Sequence, residues 1–349
     1  MKTRFICILL ICACLLTGCT AKESPPAVTQ TPTEAPAQTS TAEPELKTGV
    51  GFYFDTVVQV TLYGPESGLL EEIWAACERY ENLLSRTVEG SDVSRINTSK
   101  GQPVTVDPET WEILSRAKEI SRLTGGAFSV SIAPMSLQWD FTGGTNRMPT
   151  EAERLAAIPL VDDEKIILGE NHTVTLPEGM AIDLGGIAKG YIADQVAALV
   201  KDRVKGALLN FGGNVYAVGH KLDGSDYGLG IQDPNDATGQ ALAAVRGTDI
   251  SLVTSGIYER YFMLDGVRYH HILDPKTGLP ADSDLASATI LHTSSMDADA
   301  FATACIVLGR EKSEELLGSL GMDGVLITRE GQVSTTEDFD SRYTLYMVK

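Results

Sequence analysis

An α+β fold is what this sequence predicts, on three observations. Helical apolar spacing recurs early, at residues 68–84 and 108–123. Short β-rich runs separated by turn signals fill most of the later chain. Neither a regular βαβ alternation nor a fixed internal repeat is present. Composition agrees with a folded body: 43% hydrophobic and 21% charged residues are globular values, so wholesale disorder is excluded. A length of 349 residues suits one large or two modest domains. The formal net charge of −19, from 47 acidic and 28 basic side chains, argues against a nucleic-acid partner, which needs a basic face.

The chain opens on Lys2 and Arg4, followed by an almost purely apolar run at residues 5–16. That run is too short for a membrane span of about 20 residues and suits a secretory signal. Leu16-Thr17-Gly18-Cys19 then resembles a bacterial lipobox, which predicts a signal peptide over 1–18 and a lipidated Cys19. Its removal takes Cys7, Cys12 and Cys14 with it and moves the net charge from −19 to −21. Cys77 and Cys305 remain, both in apolar helical patterns that read as small core hydrophobes, with a disulfide between them left open. No CxxC survives in the mature chain, which excludes a zinc knuckle. Residues 19–48 carry Pro25, Pro26, Pro32, Pro36 and Pro44 and read as a disordered tether, leaving 49–349 as one body.

Within the body, the alternating run at 52–62 predicts a strand. Residues 68–84 predict a helix, and 108–123 a second, with Asp107 as N-cap and Pro108 at its first position. Thr150 and Glu153 stand at capping-box spacing ahead of a helix over 150–157. Further helices are predicted at 187–200, 295–308 and 311–320. Strands are predicted at 165–168, 173–176, 207–210, 215–218, 250–253, 261–264, 285–291, 325–328 and 342–347. Leu264-Asp265-Gly266 marks a hairpin.

Four segments carry chemistry. In Ala181-Ile182-Asp183-Leu184-Gly185-Gly186-Ile187-Ala188-Lys189-Gly190-Tyr191, two glycines before a helix would let backbone amides approach an anion, with Lys189 above it. The spacing is neither a P-loop nor GxGxxG, and in isolation a tight turn opening a helix is the commoner explanation. Asn210-Phe211-Gly212-Gly213-Asn214 reads alone as a bulge or turn. In Thr254-Ser255-Gly256-Ile257-Tyr258-Glu259-Arg260, Ser255 and Gly256 offer a hydroxyl and an amide, and Arg260 a phosphate clamp. His270 and His271 follow; as strand neighbours they point to opposite faces, so both cannot serve one metal. Asp297-Ala298-Asp299-Ala300-Phe301-Ala302-Thr303-Ala304 places Asp299 and Thr303 on one helical face, a pairing that suits a hard cation such as Mg²⁺. The competing explanation makes Asp297 the helix cap and Asp299 a dipole partner.

Together these segments, with Tyr269-His270-His271-Ile272-Leu273-Asp274-Pro275-Lys276-Thr277-Gly278-Leu279-Pro280, resemble the ApbE family of bacterial FAD:protein FMN transferases over essentially the whole body. Phe54-Asp55-Thr56 resembles that family's opening M-[GD]-T, with Phe in the Met place. Asp92-Val93-Ser94-Arg95-Ile96-Asn97, after Ser85, resembles its S…DSEISRIN segment. Gly125-Gly126-Ala127-Phe128-Ser129 through Ala133-Pro134-Met135 resembles GAFDPTVGPL, with Ser129 replacing the usual Asp. The resemblance implies a single large domain with a mostly antiparallel sheet core, flanking helices and a central FAD cleft.

It also implies Mg²⁺ at the FAD diphosphate, held by Asp299, Thr303 and the main-chain oxygens of Gly186 and Ala302. Phe54, Ala127, Phe128, Ser129, Asp183, Lys189, Ser255, Gly256, Arg260 and Ile272 would contact FAD, and His271 would serve as base. The implied reaction passes FMN to a Ser or Thr hydroxyl. The acceptor would be a flavoprotein bearing D-x-x-[ST]-G-A-[ST], a membrane-associated redox subunit. Hydrolysis of FAD to FMN and AMP, or flavin binding alone, are the alternatives. With the lipobox, the expected location is an exported protein anchored on the outer face of the cytoplasmic membrane or the periplasmic side. Asp284-Leu285-Ala286-Ser287-Ala288-Thr289 loosely matches the acceptor motif but lacks its Gly and reads as a strand.

Overall fold

The computed structural model describes residues 45–141 and 143–348; the predicted signal segment and Cys19 lie outside the described residues. The chain begins with a hairpin of β1 (Leu46–Tyr53) and β2 (Thr56–Tyr63). This corrects the single strand expected over 52–62. Phe54 and Asp55 both take positive φ, 56° and 59°, which is the primed turn that joins tightly twisted strands. It also brings residues 46–48, expected in the tether, into the body. Then come α1 (Leu69–Leu84), α2 (Asp92–Asn97), β3 (Val104–Thr105), α3 (Pro108–Leu123), α4 (Ala133–Ser136) and α5 (Glu151–Ala157). Asp107 caps α3, and the Thr150–Glu153 capping box opens α5, both as expected.

Next follow β4 (Ile167–Leu168), β5 (Thr173–Thr175), α6 (Ala188–Val200), β6 (Gly206–Phe211), β7 (Asn214–Gly219), β8 (Tyr227–Gln232), β9 (Ala241–Gly247), β10 (Ile250–Gly256), β11 (Tyr261–Leu264) and β12 (Val267–His270). The chain ends with β13 (Leu285–His292), α7 (Ser295–Leu308), α8 (Arg310–Leu320), β14 (Asp323–Thr328), β15 (Val333–Thr335), α9 (Phe339–Arg342) and β16 (Leu345–Met347). The strand expected over 342–347 thus shortens to its last three residues behind a single helical turn.

One antiparallel sheet organises the molecule, in the order β1-β2-β6-β7-β10-β13-β14-β15. Its central strands are covered on both faces. Val253, Ile290 and Leu326 belong to the core that includes α6 and α7, while their neighbours Leu252, Leu291 and Ile327 belong to a second core under the small sheet β16-β9-β8. Double coverage explains why β13 and β14 read as continuous apolar runs rather than alternating ones. Each large side chain buried there, such as Phe301 of α7, contributes about 1.5–3 kcal/mol. Cys77 and Cys305 are free and buried, which closes the disulfide option; burial pushes each thiol up to about 12.

Candidate functional site

The site grows from the crossing of α6 and α7. Gly190, in the first turn of α6, lies so close to α7 that a Cβ there would sit 2.2 Å from the Ser295 carbonyl oxygen and 2.7 Å from the Met296 Cα. Only glycine allows this approach. The crossing brings Asp299 of α7, 3% exposed, to the amino end of α6, where Oδ2 accepts the Gly190 amide at 3.0 Å and lies 3.4 Å from Lys189 Nζ. Lys189 Nζ also donates to the Gly185 carbonyl at 2.8 Å. One turn further along α7, Thr303 Oγ1 lies 3.3 Å from Ser255 Oγ and donates to the Asp299 carbonyl at 3.2 Å. Gly186 faces the same hydroxyl: a Cβ there would be 3.6 Å from Thr303 Oγ1 and 3.3 Å from the Phe128 ring.

The opening of α7 is fixed by residues the sequence did not single out. Asp194 of α6 accepts from the Ser295 and Met296 amides at 2.7 and 2.9 Å; burial, the largest cause, pushes its carboxyl up to about 6. The N-cap is Ser294, not Asp297, because Ser294 Oγ already accepts the Asp297 amide at 3.2 Å. The Asp297 carboxylate instead forms a bidentate pair with Arg116, at 2.8 and 2.7 Å.

The Asp183–Gly186 turn is clamped from several sides. Asn97 donates to the Ile182 carbonyl at 2.9 Å and accepts its amide at 2.7 Å, which gives the motif around Asp92–Asn97 a positioning role. Arg86 holds Asp183 Oδ2 at 2.9 Å, and Asp183 Oδ1 accepts the Gly185 amide at 2.9 Å. The amides of Ile187 and Ala188 turn back to the Leu184 carbonyl. Most amides expected to cradle an anion are therefore spent within the turn. Ala127 and Phe128 are buried beside it; the Ser129 hydroxyl donates to Asp163 at 2.7 Å, and Asp163 also accepts the amides of Val130 and Ser131. Lys118 Nζ in turn donates to the Asp163 carbonyl at 2.7 Å.

The opposite wall comes from the chain around β11 and β12. Arg260 reaches the β1–β2 turn, with Nη1 3.7 Å from the Asp55 carboxylate, and the Phe54 amide donates to Glu81 at 2.9 Å. Both the amide and Nδ1 of His271 face the Arg260 carbonyl, at 3.0 and 3.3 Å. The neutral ring then carries its proton on Nδ1 and leaves Nε2 as a lone pair. Loss of hydration first, then Arg260 and His270, and least Lys189, hold the His271 pKa well below the ordinary imidazole value. Glu259 feels Arg260 and Lys189, although desolvation is its largest influence and raises its pKa. His270 turns the other way, onto the Ala281 carbonyl at 3.2 Å, as the strand rule requires. Ile272 is buried behind His271, its carbonyl taken by the Ala281 amide.

The Gly212–Gly213 turn joins β6 to β7, and a Cβ on Gly212 would lie 2.2 Å from Thr56 Oγ1, so this pair serves close packing of the hairpins. The Asp284–Thr289 segment lies largely within β13, as a strand.

A divalent cation fits this chemistry. Among the described residues no three His, Cys, Asp or Glu side chains gather as a metal cluster. Asp299 and Thr303 nonetheless supply hard oxygens, and both contacts on Asp299 fall on Oδ2, leaving Oδ1 for a cation. One carboxylate with neutral oxygens is the set Mg²⁺ uses when a substrate phosphate completes its shell. Fold and site thus give an α+β protein with a buried carboxylate, a hydroxyl and a lysine gathered where α6 and α7 cross.

Comparison with known proteins makes the class specific. The ApbE family model matches residues 54–326, and the chain belongs to the ApbE family. A protein of Treponema pallidum named FAD:protein FMN transferase is 37% identical over 302 residues, covering 79% of this chain and 83% of that one. A Klebsiella pneumoniae protein of the same name is 34% identical over 281 residues, covering 79% and 87%. The crystal structure of the ApbE protein from Thermotoga maritima superposes with a TM-score of 0.79 at 30% identity, over 85% of this chain and 99% of that one. The apo flavinyl transferase ApbE of Pseudomonas stutzeri gives 0.76 at 28% identity, over 85% and 96%.

Proposed function

We propose that this chain transfers FMN from FAD to a Ser or Thr hydroxyl of a target protein and releases AMP. The observation that carries this reading is the link from Asp299, paired with Lys189 at 3.4 Å, through Thr303 to Ser255 at 3.3 Å, the strand end from which the chain runs on to Arg260 and its partner His271. The acceptor oxygen attacks the FMN phosphorus, a phosphodiester forms, and the bond to the AMP oxygen breaks with its electron pair leaving on AMP. The acceptor proton passes to Nε2 of His271, whose Nδ1 is held toward the Arg260 carbonyl. Lys189 and Arg260 offset the diphosphate charge in a protein whose net charge is −19. Phe54, Phe128, Ser255, Gly256 and Ile272 shape the FAD cleft. Asp183, already bound to Arg86 and Gly185, orients the turn that carries Gly186. Mg²⁺ held by Asp299, Thr303 and the main-chain oxygens of Gly186 and Ala302 would supply Lewis-acid neutralisation of the diphosphate.

The test incubates the protein with FAD, Mg²⁺ and an acceptor carrying D-x-x-[ST]-G-A-[ST]. Covalent flavin on the acceptor supports transfer; FMN and AMP without it, or unchanged FAD, overturn it. Asp299→Asn is the informative variant, because an amide oxygen still accepts the Gly190 N–H while the charge is gone. Turnover is expected to fall by about 10³-fold or more with the melting temperature nearly kept. Full Mg²⁺-dependent turnover in that variant would sink the metal assignment.

Export and anchoring through lipidated Cys19, with a membrane-associated redox subunit as acceptor, complete the proposal; the lipobox supports them. Cys19→Ser is expected to move the protein from the membrane fraction to the soluble one, and unchanged fractionation would refute the anchor.

A further inference from the structure

His270 turns away from the flavin site into a second pocket of about 290 Å³, walled by Asn235, Arg268, Arg329, Ile257 and Val267 as well as His270 itself. In a chain where 47 acids face 28 bases, a pocket with two guanidinium groups and no carboxylate in its walls runs against composition. Arg268 stacks 4.5 Å over the Tyr261 ring and makes no ion pair among the described residues. Arg329 donates to the Ala281 carbonyl at 3.1 Å, and its side-chain ion-pair partner among the described residues, Asp282 at 3.4 Å, is 98% exposed and so neutralises it weakly.

His270 is 2% exposed, and its Nε2 is taken by the Ala281 carbonyl. A carbonyl only accepts, so the neutral ring carries its proton on Nε2 and presents Nδ1 as a bare lone pair. That Nδ1 is buried and has no hydrogen-bond partner among the described residues. Leaving such an atom unsatisfied costs about 1–3 kcal/mol, so a ligand gains there once the pocket wall opens enough to reach it. The ligand must offer a hydrogen to Nδ1 and anionic oxygens to two guanidinium forks. A carboxylate only accepts. A hydrogen phosphate ester does both, since its second ionisation lies near neutrality.

We propose that this pocket binds a phosphate monoester, its P–OH directed to Nδ1 of His270, its other oxygens on Arg268 and Arg329, and its organic part against Ile257 and Val267. Either the AMP released at the flavin site or an unrelated metabolite offers this chemistry.

Calorimetric titration of the full chain tests it, with phenyl phosphate, AMP and benzoate as probes. Saturable 1:1 binding of phenyl phosphate is expected, with benzoate at least 10-fold weaker. Tighter binding of AMP than of phenyl phosphate assigns the pocket to the product, and the reverse to another ester; either supports the site. Lys189 and Arg260 could hold phosphate too, so binding must persist in Lys189→Ala. It must weaken about 10-fold in Arg268→Gln, a change at an exposed stacked side chain that spares the core, and likewise in His270→Phe. Absence of saturable binding, benzoate binding as tightly as the ester, or loss in Lys189→Ala with retention in Arg268→Gln each overturns the proposal.

Discussion

The two walls of the site are built on different physics. The α6–α7 wall is a backbone-on-backbone contact: Gly190 touches the Ser295 carbonyl, Asp194 holds the first amides of α7, and Asp299 lies buried at the amino end of α6. The facing wall is held by exposed side chains, with Arg260 bridging to Asp55 at 3.7 Å and Met263, Leu264 and Val267 of the β11–β12 hairpin open to solvent. A cation position tolerates little displacement, and the first wall gives it little. On the proposed function the second wall admits a flavin and an acceptor segment, and its contacts are weak enough to yield.

Gly190→Ala breaks the first wall and carries the largest expected effect. The added methyl meets main-chain atoms of α7, which cannot rotate away, so the helices must part. Overpacking typically costs about 1–3 kcal/mol and occasionally more, and separation also removes the amide that Asp299 accepts. Thermal unfolding should shift down by several degrees, and Mg²⁺-dependent turnover should be lost even in the fraction that stays folded. A variant with wild-type melting and turnover would show that the helices do not need this contact.

Arg260→Gln breaks the second wall and should cost far less. The side chain is 43% exposed and its bridge to Asp55 is long, so stability should hold. Losing one charge-assisted contact to a phosphate is worth about 1.5–3 kcal/mol. KM for FAD is therefore expected to rise by about 10-fold or more, with kcat changed less. An equal fall in kcat with KM unchanged would mean that Arg260 acts only in the transition state.

The difference between the walls also explains what could be read from the residues alone. The α+β class, both early helices and the capping signals at Asp107 and Thr150 follow local rules, and the structure has them where those rules put them. Asp299 and Thr303 were legible because a four-residue spacing fixes a helical face. The supports were not. Nothing local marks Asp194, Arg116 or Asp163 as partners of residues 100, 181 or 33 positions away. The role of Gly190 depends on a helix a hundred residues distant. β8 and β9 escaped notice because β8 carries glycines at its outward positions and β9 mixes alanines, which blurs the alternation. The β1–β2 turn was hidden because Phe54 is not a usual residue for positive φ and no glycine follows Asp55, and only paired strands reveal it.

The smallest expected effect concerns pH, and it separates His271, the proposed base, from the fold around it. The folded-state pKa of His271 is lowered, by lost hydration first and by Arg260 and His270 next; that of His270 is lowered to about 4, by burial first. An unfolded chain carries both rings near the ordinary value. Below that value the unfolded state binds more protons, so stability is fully present above pH 6.5 and declines as pH falls from there toward the folded-state values. Catalysis follows a different rule. The base is lost only when the folded ring protonates, so kcat/KM for FAD should change by less than about twofold between pH 6 and 8, while the melting temperature already falls on the acid side of 6.5. Bound FAD would raise the His271 pKa by its negative charge, so any acid limb in kcat should lie at higher pH than the limb in kcat/KM. An acid limb in kcat/KM centred near 6.5 would mean that the reacting base is a solvated histidine, and the crowded position of His271 beside Arg260 would then have to open before transfer.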